Sequence, residues 1–208
     1  HYPRDPECRQ RKVDCRRTRH DPEDIKHLWI EPQQFGDLLT CDHKIVAERD
    51  AHKMSRNHDR VAFVVLDYDT RFMDAFPTQS KSEEETRVSL TEYLGPRKVP
   101  LAVYSDNAGE ITSAVRKLGS TSATATPHIP QTNGAAENSV RRFTEGTSCA
   151  LTQSGFRYQW WNSAMRTYCF LRNITDVQHY GTTPYFRRFG HQFTGHRIPF
   201  GAEVAYLK

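Results

Sequence analysis

The sequence predicts an α/β domain built on a mixed five-stranded sheet that is flanked by helices. One observation is the continuous apolar run Val61–Leu66, which is typical of a strand buried on both faces. A second is the order of the predicted elements, which is β-β-β-α-β-α-β-α-α. Three strands in hairpin succession, followed by strands joined through helices, favour a sheet with both parallel and antiparallel neighbours.

The first three predicted strands precede every helix. In chain order they are residues 35–42, 61–66 and 71–76. The first strand ends on Asp42, and the polar stretch after it predicts a loop up to residue 60. Asp67 belongs to the turn-forming segment between the second and third strands, so it is expected on the surface of a hairpin turn.

The remaining elements alternate helices with short strands. In chain order they are a helix from Ser82 to Gly95, a strand at 99–104, a helix at 109–118, a strand at 121–126, and helices at 135–152 and 160–173. Ser82 and Glu85 match a capping box at the start of the first of these helices. Residues 176–208 are expected to be irregular, apart from a strand-like piece at 203–207.

Charge is distributed unevenly along the chain. Residues 1–20 hold seven basic and three acidic residues, residues 21–137 hold 13 and 19, and residues 138–208 hold nine and three. An acidic middle between basic flanks suits a metal-using nucleic-acid enzyme, although uneven surface charge is also common elsewhere. The longest apolar run is too short to span a bilayer, so no membrane partner is expected.

Three carboxylates are candidates for one shared metal site. Asp42 and Asp106 each end a predicted strand, and these two strands can lie parallel, which would bring both residues to one edge of the sheet. Glu137 lies in the first turn of the next long helix. Such a set would bind two Mg²⁺ ions about 3.5–4 Å apart. Each residue alone also has a structural explanation, because Asp forms turns and Glu stabilises helix N-termini.

Several segments resemble motifs of retroviral and retrotransposon integrase catalytic cores. Residues 104–110, YSDNAGE, are similar to the SDNGxEF motif, and residues 127–138, PHIPQTNGAAEN, are similar to the PxxPQxNGxxE motif that carries the last acid. Leu39–His43 resembles the strand of the first acid. Further similarities lie in residues 65–71, 81–84, 181–185 and 199–202, and the last two resemble copia-type polyproteins. The resemblance covers about residues 35–208.

The resemblance implies an RNase H-like fold and the catalytic domain of a copia-like retrotransposon integrase. Such a polynucleotidyl transferase and endonuclease cleaves near the 3′ ends of the element's DNA and joins those ends to target DNA. Asp42, Asp106 and Glu137 would be its catalytic residues and would hold two Mg²⁺ (or Mn²⁺) ions, with Asp42 bridging both. The implied partners are double-stranded DNA and further copies of the chain. The implied location is intracellular, and nuclear for integration.

Four further residues are candidates for DNA contacts. They are Asn107, Gln131, Asn133 and Arg141. Arg141 follows Glu137 by four residues, so both side chains share one helix face, and an intrahelical ion pair is the alternative role. Arg142 points about 100° away from that face.

The sequence divides into three predicted segments. Residues 1–34 are predicted to be a linker and the remnant of an upstream zinc-binding domain, residues 35–175 the catalytic core, and residues 176–208 a post-core segment. Zinc is not expected to bind, because Cys8 and Cys15 lack the close Cys-x-x-Cys spacing of a zinc site.

Two alternatives to an active integrase stay open. One is a nuclease of the same fold that acts on RNA–DNA hybrids, against which the PQTNGAAE segment argues. The other is a decayed copy that still folds and binds DNA. The second-acid motif has Ala108 where Gly is usual, and Asn138 follows the last acid where Arg is common.

Overall fold

The computed structural model describes residues 31–47, 50–96, 98–106, 108–124 and 134–205. The upstream remnant at residues 1–30, the loop at 125–133 and the end of the strand-like piece at 206–207 lie outside this range. Residues 203–205 form no strand. In the part of the chain that is described, no helix is both long and apolar enough to cross a membrane.

The predicted mixed five-stranded sheet is confirmed. Its strands are β1 (Leu38–Ile45), β2 (Val61–Asp67), β3 (Met73–Thr78), β4 (Ala102–Ser105) and β5 (Thr121–Thr124). Their spatial order is β3-β2-β1-β4-β5. The β1–β2 and β2–β3 pairs are antiparallel, whereas β1–β4 and β4–β5 are parallel. The strands that helices connect are therefore the parallel ones, as right-handed crossovers require.

Five α-helices accompany the sheet in the described residues. They are α1 (Glu83–Leu94), α2 (Gly109–Lys117), α3 (Gly134–Ser154), α4 (Trp161–Thr175) and α5 (Pro184–Phe189), with single 3₁₀ turns at Ala51–Lys53 and Tyr158–Trp160. The start of α1 agrees with its predicted cap, because Ser82 Oγ accepts a hydrogen bond from the Glu85 backbone N–H. The helix ends at Gly95, whose positive φ of 93° suits a residue without a side chain.

The sheet separates two apolar layers. One face of β1 and β2 packs against α1 and α2, through residues such as Leu39, Phe63 and Leu90. The other face packs against α3 and α4, through residues such as Val64 and Trp161. All seven residues of β2 are buried because both of its faces are covered, which is the pattern that predicted this strand.

The first strand is longer than predicted. β1 continues for three residues beyond Asp42, because its antiparallel pairing with β2 extends to Ile45, opposite Val61. The polar side chains of His43 and Lys44 obscured this continuation in the sequence. Asp42 is consequently a residue within a strand rather than its last residue.

Asp67 is buried at the end of β2, so its predicted surface position is wrong. Its carboxylate accepts hydrogen bonds from the backbone N–H groups of Gly36 and Thr70 and from the Thr70 hydroxyl, at 2.7–2.8 Å. A buried carboxylate is tolerated when such donors surround it. Asp67 thus ties the β2–β3 turn to the segment that enters β1.

The helix α5 lies in the segment that was predicted to be irregular. Thr183 caps it, Pro184 occupies its first turn, and Gly190 ends it with a φ of 78°. These start and stop signals are visible in the sequence, but the helix is too short to show an apolar period. Its Arg188 guanidinium stacks on the rings of Phe35 and Phe72 at 3.9 and 4.3 Å, which attaches the segment to the core.

Candidate active site

Asp42 and Asp106 occupy equivalent positions on neighbouring parallel strands. The register of β1 and β4 runs from Leu38 opposite Ala102 to Thr40 opposite Tyr104, and each Asp lies two residues further along its own chain segment. Side chains two residues apart on a strand share a face. Leu39 and Cys41 pack on the α1–α2 side, so Asp42 belongs to the opposite side, which α3 and α4 cover.

The two parallel strands end differently. β4 stops at Ser105, whereas β1 continues, and among the described residues β2 alone pairs with this continuation. Asp106 therefore lies just outside the sheet, at the level where Asp42 is still part of β1. Its Oδ1 accepts a hydrogen bond from the Ala108 N–H at 3.3 Å, in the turn that leads into α2 at Gly109. The sheet thus opens between β1 and β4 at the level of these two carboxylates.

The surroundings of Asp42 disfavour its negative charge. Burial raises the pKa of Asp42 most, and the charges of Asp106 and, to a smaller extent, Glu137 raise it further. The His43 backbone N–H, 2.7 Å from Asp42 Oδ1, and the charge of Lys81 act in the opposite direction. A carboxylate held near other carboxylates is stabilised by a cation, so this site has the electrostatic character of a metal site.

Glu137 lies in the first turn of α3, with its side chain exposed. Ala136 and Phe143 of the same helix are buried, and Phe143 packs on the α3–α4 side of the sheet. The charge of Glu137 raises the pKa of Asp42 to a small extent, so Glu137 lies within electrostatic range of that carboxylate. Among the residues that the structure describes, however, no three His, Cys, Asp or Glu side chains are close enough to hold a metal ion together.

The donor chemistry still fits the metal that the fold family implies. Mg²⁺ and Mn²⁺ prefer carboxylate oxygens, and the carboxylates of Asp42 and Asp106 lie at matching register positions of β1 and β4, within electrostatic range of each other. Burial raises the pKa of Asp42 most, and a bound cation would offset the further rise that the charge of Asp106 causes. Asp42 and Asp106 are therefore candidate ligands from neighbouring strands, and the exposed Glu137 is a third candidate.

His43 and Lys81 belong to the surroundings of the site. The His43 ring packs on Phe63 at 4.8 Å, and its Nε2 lies 3.1 Å from Thr86 Oγ1. Burial lowers the pKa of His43 to about 4, so the ring is neutral at physiological pH. Lys81 precedes α1 and contributes positive charge near Asp42. Sequence reasoning noticed Lys81 only as part of a helix-start motif, because its proximity to Asp42 depends on the sheet.

The predicted DNA contacts are described only in part. Asn107, Gln131 and Asn133 lie outside the described residues. Arg141 is exposed on α3, where its Nη1 lies 3.5 Å from Glu145 Oε1 and its Nη2 donates to Asn138 Oδ1 at 3.1 Å. Both partners are themselves exposed or half-buried, so these contacts are weak and can be exchanged for a phosphate.

Comparisons with known proteins identify the fold. No protein-family model matches the chain, and no curated protein sequence is significantly similar to it. The catalytic core domain of BIV integrase has a TM-score of 0.51 at 18% identity, over 72% of this chain and 91% of that one. The HTLV-2 integrase catalytic core domain in complex with magnesium, in a trimeric form, has a TM-score of 0.56 at 12% identity, over 76% and 99%.

A third similar structure is the simian T-cell lymphotropic virus intasome in complex with PP2A regulatory subunit B56 gamma. Its TM-score is 0.60 at 16% identity, over 86% of this chain and 63% of that one. Sequence identities this low establish shared architecture rather than shared activity. The fold that was predicted from the sequence resemblance is therefore confirmed, and the chain has the RNase H-like fold of a retroviral integrase catalytic core.

Proposed function

We propose that this chain is the catalytic domain of a copia-like retrotransposon integrase, which cleaves the ends of the element's DNA and transfers them into target DNA. One observation carries the proposal. Asp42 in β1 and Asp106, directly after β4, lie at matching register positions of two neighbouring parallel strands in a sheet of integrase fold. The PQTNGAAE segment places Glu137 at the position of the family's last acid, and the charge of Glu137 reaches Asp42.

The proposed reaction consists of two phosphoryl transfers. A water oxygen first attacks the phosphorus atom of a phosphodiester near the element end. The P–O3′ bond breaks, the 3′ oxygen that stays on the element takes up a proton, and the released terminal nucleotides keep the phosphate at their 5′ end. The new 3′-hydroxyl then attacks a phosphodiester of the target, and the target's own 3′ oxygen leaves. Two divalent cations, when bound, would neutralise the charge on the attacking and leaving oxygens and lower the pKa of the attacking water.

The chain's own residues supply alignment and charge. Asp42 and Asp106 would hold the cations, with their carboxylates oriented by the His43 and Ala108 N–H groups. Glu137 would add a third carboxylate from α3. Lys81 would balance the negative charge of the acids and the bound phosphate. Preorganised charge of this kind is the main way in which proteins accelerate phosphoryl transfer.

The proposal includes double-stranded DNA and further copies of the chain as partners. The similar structures support both in general terms, since one is a trimeric form and another is an intasome. Phosphate contacts position DNA but do not recognise its bases, so the sequence specificity for the target site would be weak. Integration would take place in the nucleus, and residues 35–175 would form the catalytic core.

A second candidate is a decayed copy that binds DNA without cutting it. The exposed Glu137 side chain and the lack of a three-donor group among the described residues favour it. Both candidates share the fold and differ only in turnover.

A strand-transfer assay tests the proposal. The purified chain is incubated with a labelled linear duplex and a plasmid target, in Mg²⁺, in Mn²⁺ and in EDTA, and an RNA–DNA hybrid serves as a parallel substrate. Metal-dependent joining that Asp42→Asn abolishes would support the integrase. Cutting of the hybrid alone would identify a nuclease, and duplex binding without any cutting would identify the decayed copy.

A further inference from the structure

Three arginines from separate elements converge at the end of the sheet where β2 turns into β3. Arg71 lies in the β2–β3 turn, Arg142 on α3 and Arg172 near the end of α4. The Arg172 Nη1 donates a hydrogen bond to the Arg71 backbone oxygen at 2.9 Å. Burial lowers the pKa of Arg71 most, and the charges of both other arginines lower it further, which places all three within electrostatic reach. We refer to these three residues as the arginine cluster.

The backbone holds the arginine cluster in place. Arg71 has a φ of 56°, in the left-handed region that a long side chain rarely adopts. Two hydrogen bonds hold this turn: the Arg71 N–H donates to the Asp67 oxygen at 3.0 Å, and the Tyr180 hydroxyl donates to the Thr70 oxygen at 2.5 Å. Strained conformations persist only where the surrounding structure over-determines them, and they concentrate at functional sites.

Little negative charge balances the arginine cluster. Asp176 Oδ2 lies 3.8 Å from Arg172 Nε, but that carboxylate is half exposed. Asp69, in the same turn as Arg71, is paired with Arg187 at 2.7 Å. The Arg71 guanidinium lies over the Tyr68 ring at 5.7 Å, but within the described part of the chain neither Arg71 nor Arg142 has a carboxylate partner. Like charges at such proximity are unfavourable unless an anion joins them.

Arg172 adds a second, independent observation. Its side chain is 4% exposed, and its Nε is buried without a hydrogen-bond partner in the described residues. An unsatisfied donor on a buried guanidinium is costly in a folded protein. An anionic oxygen is the natural acceptor for it, since guanidinium groups bind phosphate through two parallel donors.

We propose that Arg71, Arg142 and Arg172 form a phosphate-binding site, separate from the carboxylates, that holds a DNA backbone phosphate or the phosphate of a small polyphosphate. Arg142 follows Glu137 by five residues, which turns it about 140° around α3 and moves it about 7.5 Å along the helix axis. A DNA strand that reaches the carboxylates could therefore also cross this site. The DNA source rests on the proposed function, whereas the small-anion source does not.

The site also changes the expectation for Arg142. The helical projection alone assigned the phosphate contact to Arg141 and gave Arg142 no role. In the structure, Arg142 lies within electrostatic range of Arg71, which Arg172 contacts, while Arg141 is paired with Glu145 on α3.

The test uses three single variants. Arg142→Ala removes the exposed member of the cluster. Arg71→Asn removes a second guanidinium with a residue that tolerates positive φ, so the turn is preserved. Arg116→Ala is the matched control, since it removes one exposed arginine from α2, on the other side of the sheet. Circular dichroism of each variant verifies the fold.

Two experiments distinguish a DNA phosphate from a small anion. The first measures duplex binding by fluorescence anisotropy in EDTA at several salt concentrations. The second measures the change in Tm on adding inorganic pyrophosphate. If the site holds a DNA phosphate, Arg142→Ala and Arg71→Asn should each weaken duplex binding several-fold. Each should also lower the slope of log affinity against log salt concentration by about one unit. If the site holds a small anion, pyrophosphate should raise the Tm of the wild type, and neither variant should show this rise. If neither variant differs from Arg116→Ala in either experiment, the proposal is wrong.

These readouts do not depend on turnover. The proposed function fails if Asp42→Asn and the wild type behave alike in the strand-transfer assay. The phosphate site fails through binding measurements made without metal. The two failures are therefore distinguishable.

Discussion

The buried carboxylate of Asp67 accepts a hydrogen bond from the backbone N–H of Gly36 at 2.8 Å, across 31 residues of chain. The same carboxylate accepts two hydrogen bonds from Thr70. This residue thereby joins the entry to β1 to the turn that carries Arg71. The start of β1, the strand that carries Asp42, and the turn of the arginine cluster both depend on this one side chain.

Asp67→Ala is expected to lower the free energy of unfolding by about 3 kcal/mol, because it leaves buried donors without an acceptor. Urea denaturation monitored by circular dichroism measures the change. Glu145→Ala is the control and should cost under about 1 kcal/mol, since this glutamate is 63% exposed. Equal effects of the two substitutions would contradict the structural role of Asp67.

Metal binding should stabilise the fold through the carboxylates. Mg²⁺ at millimolar concentration is expected to raise the Tm of the wild type, because an ion that binds only the native state adds to its stability. Asp42→Asn and Asp106→Asn should remove most of this rise, and Glu137→Gln should remove less, because its side chain is exposed. Differential scanning fluorimetry measures the effect.

The control for this experiment is Asp50→Asn, which removes an exposed carboxylate that pairs with Lys53. It should leave the metal-induced rise in Tm unchanged. A wild-type Tm that does not respond to either Mg²⁺ or Mn²⁺ would count against the metal site.

The stability of the wild type should depend on pH through Asp74. Burial raises the pKa of Asp74, so the native state holds its proton to higher pH than the unfolded chain does. Its contribution to stability is therefore present below the unfolded pKa and is lost as the pH rises through the raised value. Between pH 4 and pH 7, the free energy of unfolding of Asp74→Asn should consequently rise relative to that of the wild type. A difference that stays constant over this range would refute the assignment.

Close packing of α3 on α4 should make Gly146 irreplaceable. A Cβ at this position would overlap the ring of Tyr168, so Gly146→Ala should cost about 1–3 kcal/mol. Gly109→Ala is the matched control, because no atom lies within 4 Å of a Cβ at that position. Thermal unfolding of both variants measures the difference. Equal Tm values would mean that the helices separate easily.

Arg141 is expected to contact phosphate in addition to its exposed partners on α3. Arg141→Ala should weaken binding to every duplex alike and reduce the salt slope by about one unit. Arg116→Ala again serves as the control. Unchanged affinity and slope would leave Arg141 with a structural role on α3, where it contacts Asn138 and Glu145.

Local patterns in the sequence determined much of this protein. The apolar run of β2 requires cover on both faces, the Ser82 cap starts α1, and glycines such as Gly95 end helices whatever the rest of the chain does. The order of strands and helices then restricted the topology, because connections in such sheets are short and right-handed. Asp42 and Asp106 were predicted as neighbours on this basis, and the register of β1 and β4 agrees with that prediction.

Tertiary structure alone decided the properties that depend on residues far apart in sequence. β1 extends past Asp42 because β2 offers it a partner, and Asp67 is buried because Gly36 and Thr70 supply donors around it. The arginine cluster brings together residues about 30 and 70 positions apart, which no helical or strand period can reveal. The periodicity of a sequence shows on which face of a helix or strand a residue lies. The burial of that residue and the electrostatic effect of its neighbours are set only when the faces of different elements pack together.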